Sequence, residues 1–274
     1  MSIDYVKLGR ERRLEIVEIV EACGRGHIGA AFSIIEILNV LFEKILRLDS
    51  QNPSWPDRDR FILSKGHGCL ALYPMLARKG FFPREELLKF CKPEGILGGH
   101  PDHRKIPGVE ASTGSLGHGL SAGIGMAVAA RIDKRPSRVF VLLGDGECNE
   151  GSVWEGALSA AHHGLDNLVV LVDYNKMQSY GFVKDILGLE PFAEKWQAFG
   201  FAVEEVDMEF PERLEKLLLE LPHVPGKPLA VICHTTKGKG AAFAENNPEW
   251  HHKAKLTPEE AQKLREALEG GSHA

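Results

Sequence analysis

Oxygen-bearing side chains follow two apolar runs of the sequence, and together they could hold a hard divalent cation. Asp145 stands between two glycines just after the apolar residues 139–143, and Asn175 follows the run 168–172, 30 positions after Asp145. If these runs are neighbouring parallel strands, both side chains lie at carboxyl ends, where open α/β sheets bind ligands. Carboxylate and amide oxygens suit Mg²⁺ or Ca²⁺ rather than a soft metal. The flanking glycines permit a tight turn and let a diphosphate approach backbone N–H groups.

The glycines around Asp145 also have plainer interpretations. Taken alone, the tripeptide is more typical of a simple turn after a strand than of a binding site. A dinucleotide-binding loop is disfavoured, because the third glycine of that fingerprint is missing and Asn149 stands three positions after Gly146. The pairing with Asn175 is therefore what favours a site for a metal and a diphosphate.

Three histidines follow glycines in separate loops, at His27, His67 and His100. Imidazole titrates near neutral pH, so such side chains can give and take protons at the oxygens of a substrate. The alternative is a surface role, since the chain contains 12 histidines and several must be ordinary. His162 and His163 lie in a predicted helix, where a structural role is favoured.

A transition-metal site is an alternative interpretation of the segment around His100. His100, Asp102 and His103 are residue types that bind such metals. No further cluster in the sequence supplies a convincing set of remaining ligands. This interpretation is therefore disfavoured.

Strands that alternate with helices must position these residues. The predicted strands are short apolar runs without alternation, as expected when both faces of a parallel sheet are covered, at residues 61–64, 139–143, 168–172, 202–206 and 229–233. Helical patterns cover residues 4–22, 33–46, 69–79, 84–90, 120–131, 153–163, 191–199, 211–221 and 258–268. This order predicts an α/β fold, a doubly wound parallel sheet with helices on both faces, in a single domain of residues 1–274.

Residues 95–119 are predicted to form a long ordered loop, because they contain seven glycines, three histidines and two prolines without a sustained period. Long loops inside compact domains are usually functional. The next helix, residues 120–131, is rich in alanine and glycine, which lets another backbone approach closely. We expect it to be a tightly packed central helix.

Bulk composition excludes several classes of function. The chain has 274 residues and a net charge of -5 without a basic stripe, so nucleic acid is not expected as a partner. Its five cysteines are scattered and odd in number, which is typical of reduced thiols in the cytosol. No run approaches the roughly 20 apolar residues of a membrane helix, and the charged N-terminus does not resemble a signal peptide. We expect a cytoplasmic protein without a membrane partner.

Residues 144–155 read GDGECNEGSVWE and resemble the loop GDGExxEGxxWE of transketolases, which are thiamine diphosphate enzymes. Other segments resemble the family in the same order along the chain: Gly26-His27, Ser64-Lys65-Gly66-His67, Gly99-His100-Pro101-Asp102, residues 113–117 (TGSLG), residues 236–240 (TKGKG) and residues 245–251 (ENNPEWH). The resemblance extends from the first helix to about residue 252. It implies the thiamine-diphosphate-binding fold and the N-terminal, diphosphate-binding subunit of a split transketolase.

The resemblance also implies which residues bind the cofactor and its metal. The metal, Mg²⁺ or else Ca²⁺ or Mn²⁺, would be held by Asp145, Asn175 and the carbonyl of Met177. Backbone groups of residues 114–116 would line the aminopyrimidine, and Glu150 would connect two active sites through a buried acid network. The full cofactor-binding set is His67, Gly114, Ser115, Leu116, Asp145, Gly146, Glu150, Asn175, Lys237 and His251.

By the same resemblance, catalysis would use His27, His100 and His251 around the hydroxyl and carbonyl oxygens of the substrate. The implied reaction transfers a two-carbon ketol unit from a ketose to an aldose, usually as sugar phosphates of the pentose phosphate pathway. Complete transketolases have a second domain, which supplies a glutamate facing the pyrimidine ring. We expect a separate C-terminal partner subunit to bring that domain, in a two-plus-two heterotetramer.

One departure from the family bears on the substrate. Cys91 stands where transketolases usually have an arginine that contacts substrate phosphate, which puts the sugar-phosphate preference in doubt. Two other functions are alternatives, a non-catalytic relative and a thiamine enzyme related to deoxyxylulose-phosphate synthase. The first is disfavoured because an idle site gains nothing from buried polar groups. The residues that follow Gly146 disfavour a relative of deoxyxylulose-phosphate synthase.

Overall fold

The computed structural model describes residues 3–179, 181–250, 253 and 255–270. The strands are β1 (Arg60–Leu63), β2 (Val139–Gly144), β3 (Leu168–Tyr174), β4 (Met177–Gln178), β5 (Gly181–Phe182), β6 (Ala202–Asp207) and β7 (Leu229–His234). The α-helices are α1 (Tyr5–Cys23), α2 (Ile28–Phe32), α3 (Ile35–Val40), α4 (Cys69–Arg78), α5 (Gly119–Ile132), α6 (Gly151–His162), α7 (Val183–Ile186), α8 (Phe192–Ala198), α9 (Pro211–Leu219) and α10 (Pro258–Gly270). Short 3₁₀ turns cover Gly66–Gly68, Arg84–Lys89, Gly146–Asn149 and Pro248–Trp250, and a π-helical turn covers Leu41–Ile45. None of the helices in these described ranges is long and apolar enough to cross a membrane.

Five strands form one parallel sheet in the order β1-β2-β3-β7-β6. Gly144 at the end of β2 pairs with Asp173 in β3, and Tyr174 at the end of β3 pairs with His234 at the end of β7. The carboxyl ends of three neighbouring strands therefore lie side by side. The predicted fold class, a doubly wound parallel sheet with helices on both faces, is confirmed.

Apolar side chains cover both faces of the sheet, as the absence of alternation in the strands predicts. In β2, Phe140 and Leu142 belong to a core formed with α1, α3, α4, α9 and α10. Val141 and Leu143 belong to a second core, formed with α5, α6 and α8. Because helices occupy both faces, a ligand reaches the sheet at the carboxyl ends of its strands.

Three regions differ from the predicted secondary structure. The helix predicted at residues 84–90 is a 3₁₀ turn, Arg84–Lys89. One continuous helix is predicted at residues 33–46. In the structure, the helical region begins at Ile28 and is divided into α2, α3 and the π-helical turn. The hairpin β4–β5 and the short helix α7 have no counterpart in the prediction. Strands of two residues are too short to leave a periodic pattern in a sequence.

Helix α5 packs closely on one side only. A Cβ atom added to Gly123 would lie 2.5 Å from Cγ2 of Val141 in β2, so glycine is what lets the helix approach the sheet. The opposite side of α5 is exposed, and 75% of Ile132 is accessible. Small residues lie on both sides of α5, because Ala122, Gly125 and Ala129 are on its exposed side. Close packing is therefore shown against the sheet, and the role of a tightly packed central helix stays a prediction.

Two glycines of α5 make a matched pair for testing this packing. Gly123→Ala should lower the free energy of unfolding by about 1–3 kcal/mol, because the new methyl group overpacks the contact with Val141. Gly125→Ala should raise it by about 0.5–1 kcal/mol, because no atom lies within 4 Å of the added Cβ and alanine favours the helix. Urea denaturation of both variants measures the difference. Equal effects of the two substitutions would contradict the close contact.

Candidate active site

The turn after β2 holds Asp145 in a buried position at the edge of the sheet. Its side chain is only 1% exposed. Oδ1 accepts a hydrogen bond from Gly146 N at 2.7 Å, and Oδ2 accepts one from Lys176 N at 2.5 Å. Lys176 has a positive φ of 67°, which turns the chain after β3 back toward Asp145. The two strand ends are thus tied together at this carboxylate.

Asn175 and Met177 lie in the same turn. Asn175 Oδ1 accepts a hydrogen bond from Met177 N at 3.1 Å, and its Nδ2 donates to Asp173 Oδ2 at 2.8 Å. Both residues are buried. The structure therefore brings together Asp145, Asn175 and Met177, the three residues proposed from the sequence as metal ligands.

Asp173 is the hydrogen-bonding centre of this corner, although no sequence motif identified it. Its Oδ2 accepts from Ser33 Oγ at 2.8 Å, from Asn175 and from the ammonium of Lys65, and its Oδ1 accepts from Thr235. Burial alone would raise the pKa of Asp173, but the positive charge of Lys65 and these donors hold the pKa below its usual value. Four chain segments thus meet at one ionised carboxylate.

Asp145 and Lys237 carry charges that the corner does not fully compensate. Burial raises the pKa of Asp145 to about 7, and the neighbouring negative charge of Asp173 adds to this shift. Burial lowers the pKa of Lys237 to about 8, and the neighbouring Lys65 adds to that shift. A divalent cation beside Asp145 and a phosphate beside the two lysines would stabilise both charged forms. The electrostatics of the corner therefore fit a metal–diphosphate pair.

Two features beside Asp145 also fit a diphosphate, the close backbone at Gly146 and an unsatisfied donor on Gln178. A Cβ atom on Gly146 would lie 2.8 Å from Cβ of Gln178, so any other residue would fill the space beside Asp145. Among the described residues, Gln178 Nε2 is buried without a hydrogen-bond partner. Such an amide is a donor available to a phosphate oxygen. Gln178 lies in the unpredicted hairpin, which explains why the motifs did not identify it.

The loop before α5 brings residues 114–116 beside the histidine loops. Gly114 has a φ of 144°, and a Cβ there would lie 3.0 Å from Cδ2 of His100. A Cβ on Gly66 would lie 2.9 Å from the backbone N of Gly114. Ser115 is exposed and Leu116 is half-buried. The backbone proposed to line the aminopyrimidine thus lies between the loops of His67 and His100.

Glu147 fastens three of these segments together, and sequence reasoning missed it. Its carboxylate accepts hydrogen bonds from Ser64 Oγ at 2.5 Å, Gly117 N at 2.9 Å and Gly144 N at 3.1 Å. Burial raises its pKa, although these donors oppose the shift. The side chain links the ends of β1 and β2 to the loop before α5.

Glu150 has a different environment from the buried acid network implied by the resemblance. It is exposed in this chain and precedes α6, and its Cβ would lie 2.8 Å from a Cβ added to Gly117. Of the two glutamates at positions 147 and 150, Glu147 is the one that is buried. A role for Glu150 between two active sites stays a prediction.

An open cavity of about 710 Å³ includes His27, His67 and His100 in its wall. The rings of His27 and His67 are 6.3 Å apart and nearly perpendicular. His27 and His67 are half-buried, whereas His100 is exposed. The structure therefore gathers three predicted histidines around one space that a small substrate could enter.

The last predicted histidine, His251, lies outside the described residues. Its neighbour Trp250 is described, and the Trp250 carbonyl oxygen would be 3.1 Å from a Cβ on Gly29. Gly29 also adjoins Lys237, whose Cγ would be 3.7 Å from the same Cβ. The chain therefore approaches the site up to residue 250.

The alternative transition-metal site around His100 finds no support. His103 Nδ1 is hydrogen-bonded with Ser112 Oγ at 2.9 Å, and Asp102 Oδ1 accepts from Arg104 N at 3.1 Å. Within the ranges that the structure describes, no three His, Cys, Asp or Glu side chains are grouped to hold a metal ion. The proposed metal site differs, because an amide and a backbone carbonyl contribute to it.

Substitution of two glutamates in one loop tests whether Glu147 holds three chain segments together. Glu147→Ala leaves three buried donors without an acceptor and should lower the free energy of unfolding by about 3 kcal/mol. Glu150→Ala removes an exposed carboxylate and should change it by less than about 0.5 kcal/mol. Urea denaturation of the two variants measures both. A loss for Glu150→Ala as large as that for Glu147→Ala would contradict this assignment.

Comparisons with known proteins identify the family of this chain. Residues 6–272 match the family described as transketolase, thiamine diphosphate binding domain. A 6-deoxy-6-sulfo-D-fructose transketolase subunit of Clostridium sp. (strain MSTE9) is 42% identical over 248 residues, which cover 90% of each chain. A subunit of the apulose-4-phosphate transketolase of Phocaeicola vulgatus is 39% identical over 270 residues, 98% of this chain and 96% of that subunit.

A longer protein shows the same fold. The transketolase structure of Leishmania mexicana is similar with a TM-score of 0.90 and 30% identity, over 98% of this chain but 42% of that one. The chain thus matches the two subunits over nearly their whole length and the longer transketolase over less than half of it. The family resemblance found in the motifs is confirmed. The chain belongs to the transketolase family and is the enzyme subunit that carries its thiamine diphosphate binding domain.

Proposed function

We propose that this chain, with a partner subunit, transfers a two-carbon ketol unit from a ketose to an aldose, using thiamine diphosphate and a divalent metal. The observation that carries the proposal is that a buried charged corner and an open cavity lined by three histidines share chain segments. Lys65 and His67 are two positions apart, and Gly29, whose added Cβ would lie 3.7 Å from Lys237 Cγ, follows His27 by two positions. The corner suits a diphosphate with its metal, and the cavity suits a hydroxylated substrate. Neither half of the site would be useful without the other.

The charged corner provides the groups for the metal and the diphosphate. Asp145, Asn175 and the carbonyl of Met177 would hold Mg²⁺, an ion that prefers oxygen ligands. Lys237 and the N–H of Gly146 would bind phosphate oxygens. When bound, thiamine diphosphate supplies the nucleophilic carbon and the electron sink for breaking the carbon–carbon bond. The protein's task at this end is to hold the diphosphate rigidly through buried charges.

The cavity provides groups that handle protons on the substrate. His27 and His100 would exchange protons with its carbonyl and hydroxyl oxygens, since imidazole can act as acid and base near neutral pH. His67 follows Lys65 by two positions and belongs to the wall of the cavity. We propose His251 as a further member of this group. These side chains would also orient the ketose so that its carbonyl carbon faces the cofactor.

A partner subunit is proposed for the remaining half of the site. The backbone proposed to line the aminopyrimidine is open on one side, because Ser115 is exposed. Glu150 is exposed close to Gly117 of the same loop. A second chain could cover this surface and place an acid against the pyrimidine, and Glu150 could then join two sites. We propose a two-plus-two heterotetramer on this basis.

Replacement of Asp145 tests the metal site. Asp145→Asn should weaken Mg²⁺-dependent binding of thiamine diphosphate by more than about 100-fold, because the amide lacks the charge that balances the metal. In the unaltered protein, affinity should rise between pH 6 and pH 8, since Asp145 must lose its proton, with a pKa of about 7, to bind the metal. Above about pH 8, loss of the charge on Lys237 should oppose this rise. Calorimetry over this pH range measures both effects.

Asp207 offers a matched control, because it also ends a parallel strand but is exposed and accepts a bond from Glu209 N. Asp207→Asn should leave the affinity and its pH dependence unchanged. Asp145→Asn protein that binds the cofactor and Mg²⁺ as the unaltered protein does would remove Asp145 from the metal site.

Mixing experiments test the need for a partner. The purified chain with thiamine diphosphate and Mg²⁺ should show no ketol transfer, because the described residues supply the diphosphate corner and the histidines but leave the pyrimidine side open. Addition of the partner subunit should give activity and a two-plus-two complex by light scattering. Partner subunit mixed with Asp145→Asn chain is the control and should stay inactive. Ketol transfer by the chain alone would overturn the proposal of a divided enzyme.

A further inference from the structure

His100 is the exposed member of the three cavity histidines, and no side-chain hydrogen bond fixes its ring. Among the residues that the structure describes, the His100 ring forms neither a hydrogen bond nor an ion pair. The two residues before it, Gly98 and Gly99, are the residue type that restricts the backbone least. The place of this imidazole therefore depends on the contacts that hold the backbone of its loop.

Two side chains of α4 hold that backbone directly before His100. Tyr73 Oη donates a hydrogen bond to the Gly98 carbonyl oxygen at 2.8 Å, and Cys69 Sγ donates one to the Gly99 carbonyl oxygen at 3.2 Å. Tyr73 and Cys69 are each only 1% exposed. They are four positions apart and so lie on the same side of the helix. Helix α4 thus meets the His100 loop with a pair of buried donors.

Burial keeps both donors protonated. It raises the pKa of the Cys69 thiol to about 12, and it raises the pKa of the Tyr73 hydroxyl far above its usual value. The neighbouring Cys69 adds to the shift in the pKa of Tyr73. Both hydrogen bonds therefore persist through the neutral range in which an imidazole exchanges protons.

Backbone hydrogen bonds hold the same loop on both sides of residue 100. Cys91 N donates to the Leu97 carbonyl oxygen at 2.7 Å, and Thr113 N donates to the Pro101 carbonyl oxygen at 3.1 Å. Thr113 directly precedes Gly114, which adjoins the His100 ring and is proposed to line the aminopyrimidine. The loop is therefore fixed relative to the proposed cofactor site as well as to α4.

Helix α4 also connects His100 with a second histidine of the cavity. The helix begins at Cys69, directly after the 3₁₀ turn Gly66–Gly68 that contains His67. The backbone next to His67 and the donors that hold the His100 loop thus belong to one rigid element. Catalytic groups that act on one substrate need such fixed spacing, because a misplacement of about 1 Å can cost about 100-fold in rate.

We infer that Tyr73 and Cys69 are positioning residues, whose hydrogen bonds to Gly98 and Gly99 hold His100 where it can exchange protons with the substrate. This inference rests on the proposed function. Neither side chain needs to touch the substrate for this role. Each acts through the backbone of the loop, and their effect on turnover passes through His100.

A double-mutant cycle in the two-chain enzyme tests that route. Tyr73→Phe removes only a hydroxyl group and should lower kcat by about tenfold, with little change in the KM for the ketose. In a His100→Gln background the same substitution should cause no further loss, because its effect depends on His100. Tyr5→Phe is the control. It removes another buried hydroxyl, which donates to Glu215 Oε2 at 2.6 Å outside the cavity wall, and it should leave kcat unchanged.

Two substitutions of Cys69 separate donation of a hydrogen bond from packing. Cys69→Ser keeps a donor and should leave kcat within about twofold of the unaltered enzyme, whereas Cys69→Ala should lower it by about fivefold. Equal losses for serine and alanine would overturn the inference, since filling of space would then explain the effect. Losses that simply add in the Tyr73→Phe, His100→Gln double variant would overturn it too.

Nuclear magnetic resonance of selectively labelled histidines in the complex reports the placement of His100 without turnover. Tyr73→Phe should shift or broaden the ring signals of His100 and leave those of His162, on the distant helix α6, unchanged. If the complex transfers no ketol unit but His100 responds in this way, the hold on His100 stands and the proposed function fails. Unchanged His100 signals in Tyr73→Phe would overturn the inference whatever the activity.

Discussion

Four charged side chains are held out of water at the carboxyl ends of the parallel strands, and the rest of the site depends on how their charges are balanced. Lys65, Asp145, Asp173 and Lys237 are all buried. Burial of single charges is costly, so each must find an opposite charge or several hydrogen bonds. Asp173 meets this requirement fully, through Lys65 and three further donors. Asp145 and Lys237 meet it only in part, as the raised pKa of one and the lowered pKa of the other indicate, and the proposed metal and diphosphate would complete the balance of charge.

The fold supplies the rigidity that this arrangement needs. The register of β2, β3 and β7 places three strand ends level with one another, and two apolar cores hold the sheet from both faces. Glycines then allow loops to approach those ends more closely than a side chain would permit, as Gly66 does beside Gly114. Glu147 adds a buried acceptor that joins three segments. The polar site is therefore positioned by an apolar framework and fastened by a few buried carboxylates.

The sequence was sufficient to predict the sheet and the residues at its edge. The apolar runs that precede Asp145 and Asn175 indicate buried strands, and these residues mark their carboxyl ends. Residues that act through tertiary contacts could not be found in this way. Glu147 and Glu150 look equally acidic in the sequence, but only Glu147 faces buried donors. Asp173 and Gln178 belong to no glycine-flanked motif, and their roles depend on segments far apart in the chain. The exposure of one side of α5 was also beyond prediction, since small residues indicate close packing without showing how many sides it involves.

Direct location of the metal tests the central claim, that the buried corner at the strand ends is a metal–diphosphate site. The measurement is the anomalous scattering of Mn²⁺ in crystals of the chain with its partner subunit and thiamine diphosphate. The account predicts one strong peak within about 2.0–2.3 Å of a carboxylate oxygen of Asp145, the amide oxygen of Asn175 and the carbonyl oxygen of Met177, with the diphosphate completing the coordination. A peak at another place, or a diphosphate that does not contact Gly146 and Lys237, would contradict it.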